Sequence, residues 1–355
     1  MAYSTIPKGS LYMNTKLYTG NGSTNAQTGV GFQPDWTWIK CRSDANSHQL
    51  FDVLRTTYAL ASNETSPQAD RASDGFTSLD SDGFTLNGSG SGGNVNVNSR
   101  TYASWNWKAG TSFTNDASST GIGTIDSTGS TNTTSRFSIV KWTSTGSTGT
   151  VAHNLGVTPK FIVVKRLEDS GYDWVVYHVN DTAGLYLNST AVNNDSSAAT
   201  IFDRSPTSTV FNITADGRIG GNTTGKNYIA YCFADVTGFS KMGSYTGNGN
   251  VDGPMIVTGM KPAWFMLKRT DGTNSWQIFD NKRDTGNALD NALEANDSAA
   301  EATGTDRLDF LSQGVKLRTN GAAQNASGGT YIYMAFAENP FVATSGTSAI
   351  PVTAR

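Results

Sequence analysis

Three ten-residue stretches of this sequence follow one pattern. They read GFQPDWTWIK at residues 31–40, GVTPKFIVVK at residues 156–165 and GMKPAWFMLK at residues 259–268. Each begins with Gly, has Pro three positions later, and ends with Lys after a run that is rich in aromatic or aliphatic residues. Internal repetition of this kind predicts a chain built from several similar units.

Further anchors follow each stretch in the same order. A tyrosine lies 68 or 69 residues after each proline and opens the strings YASWNW, YIAYCF and YIYMAF. The anchor pairs are Pro34 and Tyr102, Pro159 and Tyr228, and Pro262 and Tyr331. Because several anchors recur in one order at nearly fixed spacing, the sequence predicts three homologous modules in tandem.

The composition favours β-structure and sets limits on partners. Charged residues make up 15% of the chain and there are 38 glycines, which suits short strands joined by turns. The net charge of -3 gives no electrostatic reason to expect nucleic acid or an anionic membrane as partner. No run of 18 apolar residues is present, so we expect no membrane insertion. The fold class expected is all-β, with three tandem β-sandwich modules.

Side-chain alternation predicts the strands of each module. After each repeated proline, residues alternate as in a strand, and the tyrosine strand places bulky residues such as Trp105 and Trp107 on one face. We expect that face to fill the core of its own sandwich. Residues 48–53 are predicted to be a strand that forms a hairpin with the preceding one, and residues 290–300 a short helix.

The repeats and the composition also set the domain boundaries. We expect an N-terminal arm at residues 1–15, modules at residues 16–110, 137–236 and 237–341, and a C-terminal arm at residues 342–355. Residues 111–136 are rich in Ser, Thr and Gly and almost free of apolar residues, which is typical of a linker. Such a linker would let the first module sit apart from the other two.

One pair of opposite charges recurs between modules. Lys40 and Asp52, and Lys268 and Asp280, are each twelve residues apart, which is consistent with ion pairs across a hairpin. In the middle module Lys165 would face His178 instead, so we expect a weaker pairing there. A partly exposed ion pair contributes less than about 1 kcal/mol to stability.

No pattern in the sequence predicts a catalytic, cofactor-binding or metal site. None of the three histidines belongs to a nucleophile motif, and His178 occupies the position that Asp52 and Asp280 hold in the other modules. The aromatic residues of the first module could stack on a sugar, but their alternation favours a place in the core. The four tryptophans concerned are Trp36, Trp38, Trp105 and Trp107.

Two strings in the first module carry a resemblance. SDGFTL at residues 81–86 and YASWNWKAG at residues 102–110 resemble an uncharacterised repeated domain of virion structural proteins from tailed bacteriophages, notably marine and cyanobacterial phages. The later modules depart from it, with Ala234 and Ala337 at the position of Lys108. The resemblance implies a component of a phage particle and supplies no catalytic residues.

The expected function is therefore that of a non-enzymatic virion structural protein. A tail fibre, spike or other appendage is favoured, acting by assembly and by contact with the host surface. The alternatives are a capsid-decorating protein, either a cement protein or a head fibre, and a carbohydrate-binding receptor-recognition module. The expected partners are other virion proteins and further copies of the chain, a trimer by analogy with phage fibres. A host-surface glycan is a partner only in the last alternative.

Overall fold

The computed structural model describes residues 4–88, 94–181, 183–192, 206–305 and 307–340, and within these ranges the protein is all-β. This confirms the predicted fold class at that level. The predicted C-terminal arm lies outside the described residues. We divide the chain into segment 1 (residues 4–110), segment 2 (residues 111–236) and segment 3 (residues 237–340).

Segment 1 begins with a 3-10 turn at Gly9–Leu11 and contains one large and one small sheet. The large sheet has the order β1-β9-β3-β4, the small sheet has the order β2-β8-β7, and β5 pairs with β6. The strands are β1 (Met13–Thr19), β2 (Asn25–Thr28), β3 (Trp36–Cys41), β4 (Gln49–Asp52), β5 (Tyr58–Ala59), β6 (Ala69–Asp70), β7 (Phe76–Asp80), β8 (Gly83–Leu86) and β9 (Thr101–Trp107).

Segment 2 contains a seven-stranded sheet of order β10-β11-β12-β18-β14-β15-β16 and the pair β13-β17. Its elements are β10 (Thr111–Asn115), α1 (Ala117–Thr120), β11 (Ser127–Asn132), β12 (Phe137–Thr145), β13 (Gly149–Ala152), β14 (Phe161–Arg166), β15 (Val175–His178), β16 (Leu185–Tyr186), β17 (Val210–Ile213) and β18 (Thr224–Phe233).

Segment 3 contains a five-stranded sheet of order β19-β26-β21-β22-β23 and a three-stranded sheet of order β20-β25-β24. Its elements are β19 (Ser240–Thr246), β20 (Met255–Val257), β21 (Trp264–Arg269), β22 (Gln277–Asp280), β23 (Leu293–Glu294), β24 (Leu308–Leu311), β25 (Gly314–Leu317), α2 (Ala322–Asn325) and β26 (Thr330–Phe336).

The three large sheets share one antiparallel arrangement of four strands. The orders β1-β9-β3-β4, β12-β18-β14-β15 and β19-β26-β21-β22 correspond strand for strand. The repeated glycine lies just before the third of these strands, with φ of 91° at Gly31, 70° at Gly156 and 73° at Gly259. Because this backbone conformation favours glycine, the repeat keeps that residue at each copy.

A single apolar cluster, which we call the central core, receives side chains from all three large sheets. Rings meet across each pair of segments. Trp36 stacks on Tyr231 with centroids 4.3 Å apart. Trp107 meets Trp264 edge to face at 5.5 Å, and Phe233 lies 5.9 Å from Phe336. Burying each such ring contributes about 1.5–3 kcal/mol, so the three segments stabilise one another.

The opposite face of each large sheet packs on the small sheet of its own segment. In segment 1, for example, Phe51 of β4 stacks on Phe76 of β7 with centroids 4.0 Å apart. The prediction that Trp105 and Trp107 fill the core of their own sandwich is therefore wrong, because both side chains lie in the central core. Alternation identifies a buried face, but it does not identify what covers that face.

The predicted linker is also wrong. Residues 111–136 contain β10, α1 and β11, which extend the sheet of segment 2 beyond β12. Ser127, Ser130 and Thr131 are buried there although they are polar. Backbone hydrogen bonds to a neighbouring strand order this stretch, and such bonds do not require apolar side chains.

Three smaller predictions also fail. The described part of the predicted N-terminal arm, residues 4–15, packs against the rest of the protein, because Ile6 lies in the central core and β1 begins at Met13. Segment 1 does not sit apart, because its tryptophans pack in the same cluster as segments 2 and 3. The short helix expected at residues 290–300 is instead the strand Leu293–Glu294 and turns, since Leu293 pairs with Ile278.

The shared core leads to a prediction about folding. A fragment that contains only residues 1–110 would expose the side chains that it contributes to the central core, so we expect it to aggregate or to remain without fixed tertiary structure. The whole chain, by contrast, should unfold in one cooperative transition. Near-ultraviolet circular dichroism and dye binding on both proteins would test this. A monomeric fragment with native-like spectra would contradict it.

Candidate functional site at the interfaces between segments

The three repeated lysines occupy equivalent positions at the interfaces between segments. Lys40, Lys165 and Lys268 are fully buried. Each ammonium donates to a carbonyl of its own segment and to a carbonyl of another. The acceptors in the other segment are Ser298 O for Lys40 at 3.2 Å, Thr65 O for Lys165 at 3.1 Å and Thr190 O for Lys268 at 3.2 Å. These contacts run from segment 1 to 3, from 2 to 1 and from 3 to 2, and so close a ring.

Burial changes the acidity of these lysines. Loss of solvation lowers the pKa of each ammonium to about 8, and nearby carboxylates only partly offset this at Lys40. The carbonyl oxygens that accept from the ammonium groups compensate for part of the lost solvation. The lysines therefore act as fixed donors at the rim of the central core.

The predicted ion pairs between these lysines and the aspartates do not form. Trp36 is the residue opposite Asp52 in the hairpin, and Trp264 is opposite Asp280, so the lysines lie beyond reach. Each aspartate instead pairs with the arginine three residues later. Arg55 contacts Asp52 at 2.6 Å and Arg283 contacts Asp280 at 2.5 Å, in both cases with fully or almost fully buried side chains.

These buried aspartates also accept hydrogen bonds from rings of another segment. The Tyr231 hydroxyl donates to Asp52 Oδ2 at 2.7 Å, and Trp105 Nε1 donates to Asp280 Oδ2 at 2.9 Å. Burial alone would raise the pKa of Asp280, but the charge and hydrogen bonds of Arg283 hold that pKa below its ordinary value. The carboxylate therefore stays ionised and accepts bonds from both sides of the interface.

At the interface between segments 2 and 3, both the aspartate and the ring that donates to it are replaced by other residues. His178 stands where the other segments have Asp52 and Asp280, and Met334 stands where they have Tyr231 and Trp105. Here His178 Nε2 donates to the Tyr333 carbonyl at 3.2 Å, while its Nδ1 accepts from Asn180 N at 3.1 Å. The Met334 side chain has no N–H or O–H group, so it needs no carboxylate as acceptor.

A further set of equivalent residues precedes the fourth shared strand of each large sheet. Trp174 Nε1 donates to Ala61 O at 2.8 Å, and Trp276 Nε1 donates to Tyr186 O at 2.9 Å. His48 takes this position in segment 1, and its Nε2 reaches Glu294 O at 3.0 Å. These contacts follow the same ring of segments as the lysines.

All three histidines are buried and hydrogen-bonded. His48 Nδ1 accepts from Trp38 Nε1 at 2.7 Å, and His153 Nδ1 accepts from Leu155 N at 3.2 Å. Nε2 of each therefore carries the proton and donates to a carbonyl. Burial lowers the pKa of His48 to about 3 and those of His153 and His178 to about 4.

The remaining repeat anchors support the segments internally. The prolines Pro34, Pro159 and Pro262 are buried, and each lies two residues before a strand. Each repeated tyrosine stacks on an aromatic ring of the neighbouring strand, at centroid distances of 4.7–5.5 Å. The stacked pairs are Tyr102 with Tyr18, Tyr228 with Trp142, and Tyr331 with Tyr245.

One family profile matches nearly all of the described residues. A family profile described as "Domain of unknown function (DUF7483)" matches residues 8–340, which include parts of all three segments. The chain belongs to this family. The range matched by the DUF7483 profile contains every interface residue named above. Among curated proteins, no match was found.

The described part of the DUF7483 chain lacks two features that would point to a membrane or to a metal ion. No helix there is long and apolar enough to cross a membrane. No group of three or more His, Cys, Asp or Glu side chains in the described ranges could hold a metal ion. Cys41 and Cys232 are free and buried.

Some interface residues were missed in the sequence although a signal was present. The strings FDVLR at residues 51–55 and FDNKR at residues 279–283 both place Arg three residues after Asp. This recurrence could have identified Arg55 and Arg283 as the partners. The alignment of His48 with Trp174 and Trp276 was also available from the repeat. The segment that each side chain contacts could not be found from these patterns.

The lowered lysine pKa values predict how stability depends on pH. In the folded protein Lys268 loses its proton near pH 8, whereas the unfolded chain keeps it to about 10.5. Between these values the unfolded state binds more protons, so stability rises with pH by up to about 1.4 kcal/mol per unit for each lysine. Native protein should therefore gain stability relative to Lys268→Met as pH rises through this window.

Denaturant unfolding between pH 7.5 and 10 would measure this difference. Lys165→Met and Lys40→Met should behave like Lys268→Met. Lys261→Met removes a half-exposed lysine of the same segment and serves as the control. A difference between native protein and Lys268→Met that stays constant over this range would contradict the assignment.

The bond between Tyr231 and Asp52 gives a second test. A hydrogen bond to a buried charge contributes about 1.5–3 kcal/mol, whereas one to a neutral acceptor contributes about 0.5–1.5 kcal/mol. Tyr231→Phe should therefore destabilise the protein more than Tyr228→Phe, whose hydroxyl donates to the Gly217 carbonyl at 2.7 Å. Urea unfolding at pH 7 would compare them, and equal losses would argue against a charged acceptor.

Proposed function

We propose that the protein is a non-enzymatic structural component of a tailed-phage virion. The observation that carries this proposal is the central core with its ring of buried contacts between segments. The repeated polar residues at these interfaces bind other parts of the same chain. Such an arrangement suits a rigid building part.

The same proposal includes the origin of the architecture. Segments 1, 2 and 3 would be three homologous β-sandwich modules, produced by duplication and packed around the central core. Support comes from the corresponding strand orders of the large sheets, and from the glycine, proline, lysine and tyrosine that recur at equivalent places. The separate apolar clusters on the outer faces also favour this view.

The assignment to a phage virion rests on the resemblance of residues 81–86 and 102–110 to a phage virion domain. These strings have packing roles in this protein. Gly83 has a φ of 149°, and a Cβ there would lie 1.8 Å from Gln27 O. Ala109 N donates to Asp35 Oδ2 at 2.9 Å, just beyond β9. A motif whose residues serve packing is consistent with a structural role.

A tail fibre, spike or other appendage is the favoured place, and a capsid-decorating protein is the alternative. Either role would suit the same rigid protein, so imaging of the particle is needed to distinguish the two locations. The predicted homotrimer stays a prediction, since the central core joins segments of one chain. Light scattering would distinguish one 37.7 kDa chain from three.

Immunogold labelling of purified particles would test the virion assignment. We expect gold at the tail or its appendages, with the same protein found by mass spectrometry of the particles. Gold on the head would favour the decorating protein. Particles that lack the protein, in a lysate that contains it, would overturn the proposal.

A further inference from the structure

The large sheet of segment 2 differs from the other two large sheets at one edge. The strands β10 and β11 continue this sheet beyond β12, whereas β1 and β19 are the outermost strands of the corresponding sheets. β11 pairs with β12 only from Phe137 to Trp142, so residues 143–145 extend past it. A groove of about 590 Å³ lies at this place, within the size range of small-ligand sites.

The groove is lined by polar side chains from several strands. In register across the sheet, Thr114 is opposite Thr128, and Thr128 is opposite Lys141. On the next row Thr143 is opposite Asn227, and their side chains share a hydrogen bond of 2.9 Å. Hydroxyl, amide and ammonium groups therefore lie on one face of the sheet, because paired residues of neighbouring strands point the same way.

Several of these groups are not used by the fold. Within the described ranges, the hydroxyls of Thr114 and Thr128 and the ammonium of Lys141 have no hydrogen-bond partner, and Thr114 and Thr128 are exposed. The carboxylates of Asp116 and Asp126 are also exposed, and each accepts backbone bonds through Oδ1. Donors and acceptors thus remain available to a ligand.

The charges and shape limit what could bind. Two carboxylates and one ammonium line the groove, so it does not attract an anion. Ile125 and Trp142 border the groove but are buried in the outer apolar cluster of segment 2, so the surface open to a ligand is rich in hydroxyl groups. A neutral molecule with many hydroxyls, which both donates and accepts, matches this mixture best.

We propose that this groove binds a neutral glycan of a few sugar units. The site differs from the four tryptophans considered in the sequence, because Trp36, Trp38, Trp105 and Trp107 are buried in the central core. It also lies outside the ring of interface contacts. The proposal does not depend on the virion assignment, so either one can fail alone.

The full-length protein should be tested on an array of neutral and acidic glycans, followed by calorimetry with the best neutral oligosaccharide. Thr114→Val/Thr128→Val removes two hydroxyls but keeps shape and strand preference. We expect binding about tenfold weaker in this variant. Lys141→Met should also weaken binding.

The control variant is Thr111→Val, on the same strand as Thr114 but outside the groove lining. It should bind like the native protein. Circular dichroism would show that all variants keep the fold. No binding of neutral glycans at millimolar concentration, binding of acidic glycans alone, or full binding by Thr114→Val/Thr128→Val would each overturn the proposal.

Discussion

The structure depends on the burial of one apolar face from each of three sheets against the other two. Neither Trp36 nor Tyr231 can be buried by its own segment alone, because the two rings cover each other across an interface. The opposite faces already pack on the small sheets, so each large sheet is covered on both sides. This explains why β3 and β14 are buried throughout and why β21 is buried except at Arg269.

Polar contacts at the rim give this apolar packing its geometry. Dispersion and burial have little directional preference, whereas an ammonium or carboxylate excluded from water needs partners at fixed positions. Lys165 donates to Thr65 O, and Asp52 accepts from Tyr231, so segments 1 and 2 are joined by two separate polar contacts. A buried charge left without its partner is costly, which disfavours other arrangements of the same sheets.

The alternation of side chains in the sequence predicted individual strands well, but the sequence did not predict which residues contact each other. The sequence predicted the strand after Pro34 and the strand that ends at Trp107, because alternation shows which side chains share a face. The pairing of Lys40 with Asp52 failed because a spacing of twelve does not fix the register of a hairpin, and Trp36 takes the place opposite Asp52. The stretch at residues 111–136 failed because composition does not report backbone pairing along a strand edge.

The presence of all three segments on one polypeptide determines how their interfaces can differ. In an assembly of identical chains, every substitution appears at every interface at once. Here one junction has His178 and Met334, whereas the other two have Asp52 with Tyr231 and Asp280 with Trp105. The extra strands β10 and β11 likewise belong to one side only. A substitution in this chain therefore changes one junction at a time, so each junction can carry residues that the other two lack.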